Sequence, residues 1–169
     1  MLNLRSANSA DIAFVMATER IPDYVPILGQ WEEAKHRTAM DNPANAYFIG
    51  EFMGEPEGFA IVQHIDDPMG NVLLRRVAMA NPGRGLGREM MRLVAAAVFA
   101  HPEPHRLWLY VSPYNERARS FYLRLGFVEE GIMREAYIND LGERVSPHLM
   151  SMLRSDWERH AGDAESTAR

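Results

Sequence analysis

The sequence predicts a mixed α/β domain in which a mostly antiparallel sheet of about six to seven strands is flanked by about four helices. Two observations support this fold class. Seven β-like runs alternate with four segments of helical periodicity, in the order strand, two helices, three strands, helix, strand, helix, two strands. The 169 residues are also 47% hydrophobic, enough to bury the core of one ordinary domain. We therefore expect a single domain over residues 1–159 and a polar, loosely held tail over residues 160–169.

The first half of the chain contains one strand, two short helices and a meander of three strands. In order, they are the strand LNLRSA, the helices NSADIAFVMATER and WEEAKHRTAM, and the strands YFIGEF, GFAIVQHI and VLLRRVAM. Asn8 or Ser9 is placed to cap the first helix, which Pro22 and Pro26 end. Turn residues around Gly54 and Gly70 separate the three strands, which predicts antiparallel neighbours.

The second half contains a helix, a strand, another helix and two strands. The helix from Leu86 to Phe99 is indicated by an apolar stripe, whose members are Leu86, Met90, Leu93, Val94 and Ala97. The strand RLWLYV follows, and Asn115 and Gly126 are placed to begin and end the helix in NERARSFYLRLGF. The strands FVEEGIMREAYI and SPHLMSML then flank the turn NDLG.

Composition excludes several classes of protein. The formal net charge is -5 and Lys35 is the only lysine, so a broad basic surface for nucleic acid is not expected. The chain has no cysteine, which excludes disulfides, thiolate metal sites and a cysteine nucleophile. The start, MLNLRSANSADIAF, has no apolar run long enough for a signal peptide or a membrane span. We expect a cytoplasmic protein that binds neither nucleic acid nor a membrane.

A metal site is not expected either. Two histidines and Glu103 lie close together in HPEPH, residues 101–105. The two prolines of this segment make helical i, i+4 ligand geometry unavailable, and a well-spaced third ligand is missing.

The stretch NPGRGLGREMMRLV, residues 81–94, predicts an anion site. A glycine-rich turn that leads into a helix exposes backbone N–H groups at the positive end of the helix dipole. Gly83, Gly85 and Gly87 let a phosphate approach the main chain, and Arg84 and Arg88 add positive charge. The alternative is a tight turn whose arginines point into water. Neither the Walker pattern nor the dinucleotide-binding spacing is present, so nucleotide hydrolysis and hydride transfer are not favoured.

Two blocks of sequence carry a family resemblance. VAMANPGRGLGREMMRLV, followed about twenty residues later by SPYNERARSFYLRLGFVEEG, resembles the GCN5-related N-acetyltransferase (GNAT) superfamily, with the closest likeness to its branch of ribosomal-protein N-terminal acetyltransferases. The resemblance covers residues 59–153. It implies acetyl-CoA as cosubstrate and a gap for it where two parallel strands, VLLRRVAM and RLWLYV, splay apart.

The resemblance also assigns residues to the site. Tyr122 would lie beside the sulfur of CoA and act as the catalytic acid, while main chain and side chains of a second group would hold the cofactor. That group is Val77, Ala78, Met79, Arg84, Gly85, Leu86, Gly87, Arg88, Asn115 and Ala118. One departure is Pro82, which stands where the family usually has Gln or Arg. Because the loop binds mainly through main-chain donors, this departure weakens the match only slightly.

Acyl transfer from a thioester to an amine needs a neutral amine, a stabilised oxyanion and a proton for the leaving thiolate. Since the chain has neither cysteine nor a G-x-S-x-G elbow, we expect direct attack by the amine within a ternary complex. A phenol with a pKa near 10 stays protonated at neutral pH, so Tyr122 can donate. The alternative is that Tyr122 is a core aromatic, because it shares a helix face with Ala118 and Leu125.

The sequence does not identify a general base. In the N-terminal acetyltransferase branch a Glu often lies in the strand that RLWLYV matches, and this chain has Tyr110 at that position. His64, Glu51 and His148 could serve directly or through water, although each is more often a solvated or structural residue.

The resemblance therefore implies an acetyl-CoA-dependent N-acetyltransferase acting on a primary amine, either a protein N-terminus or a small molecule such as an antibiotic, a polyamine or an amino acid. The alternatives are a non-catalytic acyl-CoA-binding module and, third, a nucleotide-binding protein. Glu32, Glu33 and Asp41, with Tyr24 and Trp31 nearby, either attract a cationic amine or form the solvated face of a short helix. Outward residues of the last two strands could pair subunits in a homodimer.

Overall fold

A computed structural model describes the backbone of residues 1–167 and the side chains of residues 1–160. Within that part of the chain there are nine strands and five α-helices. The strands are β1 (Leu2–Ser6), β2 (Asn45–Phe52), β3 (Glu55–Gln63), β4 (Asn71–Met79), β5 (Arg106–Val111), β6 (Val128–Ile132), β7 (Tyr137–Ile138), β8 (Arg144–Val145) and β9 (His148–Leu153). The helices are α1 (Ile12–Glu19), α2 (Glu33–Asp41), α3 (Leu86–Phe99), α4 (Glu116–Arg124) and α5 (Arg154–Thr167).

Seven of the strands form one sheet in the order β1-β2-β3-β4-β5-β9-β6. Every neighbouring pair is antiparallel except β4 and β5, which run parallel. This confirms the predicted mixed α/β class and its mostly antiparallel sheet. β6 forms one edge and exposes Val128 and Ile132, on the strands where subunit pairing was expected. That pairing stays a prediction.

The predicted splay lies between β4 and β5. These strands pair at three positions only, from Asn71 opposite Arg106 to Leu73 opposite Trp108. β4 then continues for six residues to Met79 and β5 for three to Val111 without pairing to each other. A bulge marks the divergence, because Ile61 on β3 faces Arg76 while Val62 faces Leu74, which leaves Arg75 without a partner on β3.

The sheet has a hydrophobic cluster on each face. The larger one contains the inner sides of α3 and α4, and the smaller one contains Val15 of α1 with Ile49, Phe59 and Ile61 of the sheet. The predicted bounds of α3 are confirmed, but its buried stripe is rotated from the predicted one. Its buried residues are Met90, Met91, Val94, Ala95, Val98 and Phe99, whereas Leu86, Leu93 and Ala97 are half-buried.

The prediction of one long strand FVEEGIMREAYI was wrong. The chain leaves the sheet after Ile132, and Glu135 adopts a left-handed backbone with a φ of 49°. β7 and β8 then pair with each other in a separate two-stranded hairpin. The turn NDLG lies in that hairpin, and SPHLMSML returns to the main sheet as β9.

The fifth helix, α5, was not expected from the sequence. It extends to Thr167, into the segment for which a loose tail was predicted. At the start of α5, the Arg154 guanidinium donates to the carbonyl oxygens of Phe99 at 2.7 Å and Pro104 at 3.1 Å. The Trp157 ring stacks on the Phe99 ring, with the ring centres 6.5 Å apart. Because these contacts are tertiary, the local polar pattern did not reveal them. The domain limit at residue 159 stays a prediction.

Among the described residues, no helix is both long and apolar enough to cross a membrane.

Candidate active site

The splay opens a cleft of about 640 Å³. One side is formed by β4 and the glycine-rich turn, and the other by the end of β5 and by α4. The segment after α1 and the side chain of Tyr137 complete the walls. The lining segments comprise residues from 23–28, 74–79, 82–88, 109–112 and 115–124, together with Tyr137. Residues from both blocks of the family resemblance thus meet in one cavity.

At the mouth of the cleft, the N-terminus of α3 has no side-chain cap. Gly85 is the N-cap residue, with a φ of 77°, and Gly83 has a φ of 94°, so both occupy the left-handed region that favours glycine. A Cβ added at either position would meet no atom within 4 Å. Since α3 has 14 residues and no side chain caps its first N–H groups, its N-terminus fits an anion such as a diphosphate.

The turn is anchored from β3 by Glu57, a residue that the sequence did not single out. Glu57 is buried, and its carboxylate accepts hydrogen bonds from Asn81 at 3.2 Å and from Arg84 at 3.2 Å. The Arg84 side chain therefore points to Glu57 and lies over the ring of Phe52, away from the cleft wall. Leu86 packs against the core. Any contact of these two residues with a cofactor would come from their main chain.

Helix α4 begins as the sequence predicts. The Asn115 side chain accepts a hydrogen bond from the Ala118 N–H at 3.0 Å, and both residues line the cleft. Arg117 and Arg124 also line it, together with Arg88 of α3. The sequence predicted only Arg88 of these three, because the other two are separated from the glycine-rich turn by a strand and become its neighbours only in the fold.

Tyr122 satisfies both interpretations drawn from the sequence. Its ring is buried and packs edge-on against Phe121 and Phe127, with centroids 5.4 Å away in each case, yet the residue also lines the cleft. Burial raises the pKa of the Tyr122 phenol well above its usual value, and the nearby Tyr24 adds to the shift. The hydroxyl therefore keeps its proton over the whole physiological range.

The edge of β4 that faces the cleft is partly covered by Tyr24. The Ala80 N–H donates to the Glu57 carbonyl at 2.7 Å, so the backbone groups of Ala78 face β3 and those of Val77 and Met79 face the cleft. The Tyr24 hydroxyl accepts from the Met79 N–H at 3.2 Å and donates to the Met79 carbonyl at 3.0 Å. Tyr24 thus occupies both backbone groups of one of the three predicted pantetheine-binding residues.

On the other face of the sheet, beneath α1 and α2, a buried charged network borders the cleft. Glu19 is fully buried and accepts hydrogen bonds from Arg76 at 3.0 Å and from the Trp31 N–H at 2.9 Å, and it lies 3.1 Å from His36. The Arg76 guanidinium lies 4.2 Å from the centre of the Trp31 ring. Burial lowers the pKa of Arg76 to about 10, and the negative charge of Glu19 opposes that shift.

The acidic cluster of Glu32, Glu33 and Asp41 is not at the cleft. Glu32 pairs with Arg20 at 3.3 Å and Glu33 with Arg37 at 2.6 Å, all on the solvent side of α2 and the segment before it, and Asp41 is exposed. None of the three acidic residues lines the cavity. The alternative of a solvated helix face is therefore the one that fits the structure.

The three candidate bases also lie elsewhere. Glu51 pairs with Arg5 at 2.6 Å near β1, His148 lies 3.2 Å from Glu129 on the far side of β5, and His64 follows the end of β3. Among the described residues that line the cleft, Asp23 is the one carboxylate. No group of three or more His, Asp or Glu side chains in the described part of the chain could hold a metal ion.

Comparison with known proteins identifies the family. A family model described as the acetyltransferase (GNAT) family matches residues 14–127. A solved structure of a spermidine N-acetyltransferase from Vibrio cholerae in complex with CoA and spermine superimposes with a TM-score of 0.80, at 20% identity, over 92% of this chain and 97% of that chain. A structure of AAC(6')-Ib in complex with paromomycin and acetyl-CoA gives a TM-score of 0.77, at 21% identity, over 94% of this chain and 96% of that one. The chain belongs to the acetyltransferase (GNAT) family and is an N-acetyltransferase whose cosubstrate is acetyl-CoA.

Proposed function

We propose that the enzyme moves the acetyl group of acetyl-CoA to a primary amine by direct attack within a ternary complex. The observation that carries this proposal is that one cleft, opened by the divergence of β4 and β5, contains both the uncapped N-terminus of α3 and the Tyr122 side chain. The partners named for the two similar structures, spermine and paromomycin, are both amines. A protein N-terminus, as in the ribosomal-protein branch, is the other acceptor class that the resemblance suggests.

The first N–H groups of α3 are placed to hold the diphosphate, with Arg88 and two arginines of α4 adding positive charge. The cleft-facing backbone of Val77 extends this site along β4. The N–H of Met79 becomes a further donor once Tyr24 has moved away. A β4 N–H on this edge can donate to the thioester carbonyl, where negative charge develops during the attack.

In the chemical step a bond forms between the amine nitrogen and the acetyl carbon, and the carbon–sulfur bond breaks. The nitrogen loses a proton and the departing thiolate gains one. Because burial raises the pKa of Tyr122 far above that of a thiol, complete proton transfer from the phenol is uphill. Tyr122 therefore acts as a hydrogen-bond donor that stabilises the developing thiolate, and the thiolate takes its proton from water. Asp23 is the carboxylate within the cleft that can receive the proton of the amine through water.

The test is release of free CoA thiol over a panel of amines and N-terminal peptides, comparing the parent enzyme with Tyr122→Phe. Loss of one positioned hydrogen-bond donor to the developing negative charge costs roughly 10²- to 10³-fold in kcat, whereas the affinity for acetyl-CoA should stay nearly unchanged. Tyr114→Phe is the matched control, because Tyr114 is exposed and does not line the cleft.

Equal turnover of Tyr122→Phe and Tyr114→Phe would remove Tyr122 from the mechanism. Binding of acetyl-CoA without release of thiol for any acceptor would contradict the proposed reaction and favour a non-catalytic acyl-CoA-binding module.

A further inference from the structure

Arg75 is a charged group of the cleft that the proposed reaction does not use. It is half-buried, it lines the cavity, and none of the described carboxylates forms an ion pair with it. Its guanidinium donates to the Tyr110 hydroxyl and lies 5.8 Å from the ring centres of both Tyr110 and Trp31. Removing part of the hydration of a guanidinium without supplying a counter-ion costs free energy. This cost indicates that an anion binds beside Arg75.

The bulge in β4 explains why Arg75 points there. Arg75 lies between Leu74 and Arg76 and has no partner on β3. It therefore interrupts the pattern in which successive side chains of β4 point to opposite faces of the sheet. On β5, the residues flanking Tyr110 face the α3 side of the sheet, so Tyr110 faces the opposite side with Trp31. The bulge therefore places the guanidinium on the side of the cleft opposite Tyr122, where an acceptor can approach the thioester without crossing the diphosphate site.

The neighbouring charges do not neutralise Arg75. The Glu19 carboxylate already accepts hydrogen bonds from Arg76 at 3.0 Å and from the Trp31 N–H. Lys35 lies 4.5 Å from the centre of the Trp31 ring and adds a further positive charge to the same region. Asp23 is the one described carboxylate that lines the cleft, and it is exposed at the rim of the cavity.

We propose that the acceptor is a compact amine that also carries a carboxylate, and that Arg75 binds the carboxylate while the amine reaches the thioester. This inference rests on the proposed function. A guanidinium presents paired N–H donors that match the two oxygens of a carboxylate. The aromatic walls, with the Tyr110 and Tyr137 ring centres 6.1 Å apart, favour a flat or apolar frame between the two groups.

The same arrangement disfavours polycationic acceptors. A second ammonium group placed beside Arg75 would meet a like charge with no compensating carboxylate on this wall. The acceptor specificity therefore differs from that suggested by the spermine and paromomycin bound in the similar structures.

The experiment compares each amino carboxylate with its decarboxylated partner: phenylalanine with phenethylamine, tyrosine with tyramine, and lysine with cadaverine, alongside spermidine. An acidic tetrapeptide with an amidated C-terminus tests whether the carboxylate can come from a peptide instead of a free amino acid. Steady-state constants are measured for the parent enzyme, Arg75→Gln, Arg75→Lys and Arg92→Gln. Arg92 is the matched control, because it is exposed on α3, outside the cleft.

We expect the parent enzyme to have a higher kcat/KM for the carboxylate member of at least one pair. For that acceptor, Arg75→Gln should raise KM at least tenfold, Arg75→Lys should restore part of the loss, and the KM for acetyl-CoA and for the decarboxylated partner should hardly change. Arg92→Gln should behave like the parent, and unchanged binding of acetyl-CoA by calorimetry confirms that each variant is folded.

Two results would overturn the inference and leave the proposed function intact: acetylation of spermidine in preference to every carboxylate, or an Arg75→Gln enzyme with the parent's ratio of KM values within each pair. Absence of thiol release with every acceptor would overturn both proposals together.

Discussion

The proposed anion site at the start of α3 predicts a specific effect of Gly85→Ala. Gly85 has a φ of 77°, and its added Cβ would meet no protein atom within 4 Å. The folded protein therefore bears backbone strain without a clash. A left-handed backbone costs a residue with a side chain roughly 1–2 kcal/mol, and the lower entropy of the unfolded chain offsets about 0.4–1 kcal/mol of that.

The net loss of stability should thus be about 1 kcal/mol. For a chain of 169 residues, this corresponds to a fall in Tm of about 3 °C. The effect on binding should be larger, because the methyl group occupies the space that lets a phosphate reach the N–H groups of the helix. Loss of one hydrogen bond to a charged group costs roughly 1.5–3 kcal/mol, so the Kd for acetyl-CoA should rise roughly 10- to 100-fold.

Gly54 supplies a matched control. It lies in the two-residue turn between β2 and β3, has a φ of 87°, and also has no atom within 4 Å of an added Cβ. Gly54→Ala should lose the same stability and keep the parent's affinity for acetyl-CoA. Thermal unfolding and titration calorimetry on both variants separate the two effects. If Gly85→Ala bound acetyl-CoA within twofold of Gly54→Ala, the diphosphate would not lie against this turn.

Two further predictions concern tyrosines of the cleft. Tyr24→Phe removes the hydroxyl that is hydrogen-bonded to the N–H and carbonyl groups of Met79. Because the pantetheine arm no longer has to displace this hydroxyl, the Kd for acetyl-CoA, measured by calorimetry, should fall about fivefold. A higher Kd would show instead that Tyr24 helps to bind the cofactor. The raised pKa of Tyr122 means that its proton is retained to higher pH than in an ordinary phenol. We therefore expect kcat to rise as the amine loses its proton and not to fall at any pH below about 10. A fall in kcat between pH 8 and 10 that is absent from Tyr122→Phe would contradict this assignment.

Much of the site was predictable because its causes are local. Glycines that tolerate a left-handed backbone, an apolar stripe behind them and Asn115 at the start of α4 all act within a few residues, so the sequence shows both the turn and the two helices that frame the cleft. Their proximity was predicted only through the family resemblance, because it depends on which strands are neighbours in the sheet.

Errors arose where distant contacts override a local pattern. Helix α5 was not expected, because its start depends on Arg154, which donates to the Phe99 carbonyl at the end of α3. Buried carboxylates such as Glu19 and Glu57 were missed, since the same residue type is usually exposed and only its donors identify it.

The sequence by itself determined the fold class and the glycine-rich turn in front of α3, since hydrophobic periodicity and glycine content act through the backbone of neighbouring residues. Only the tertiary structure decided which charged groups border the cleft. Three features depend on pairing between residues far apart in the chain. They are the bulge at Arg75, the divergence of β4 from β5 and the ion pair of Glu19 with Arg76. Such pairing fixes which charges are neutralised and which stay available to a substrate.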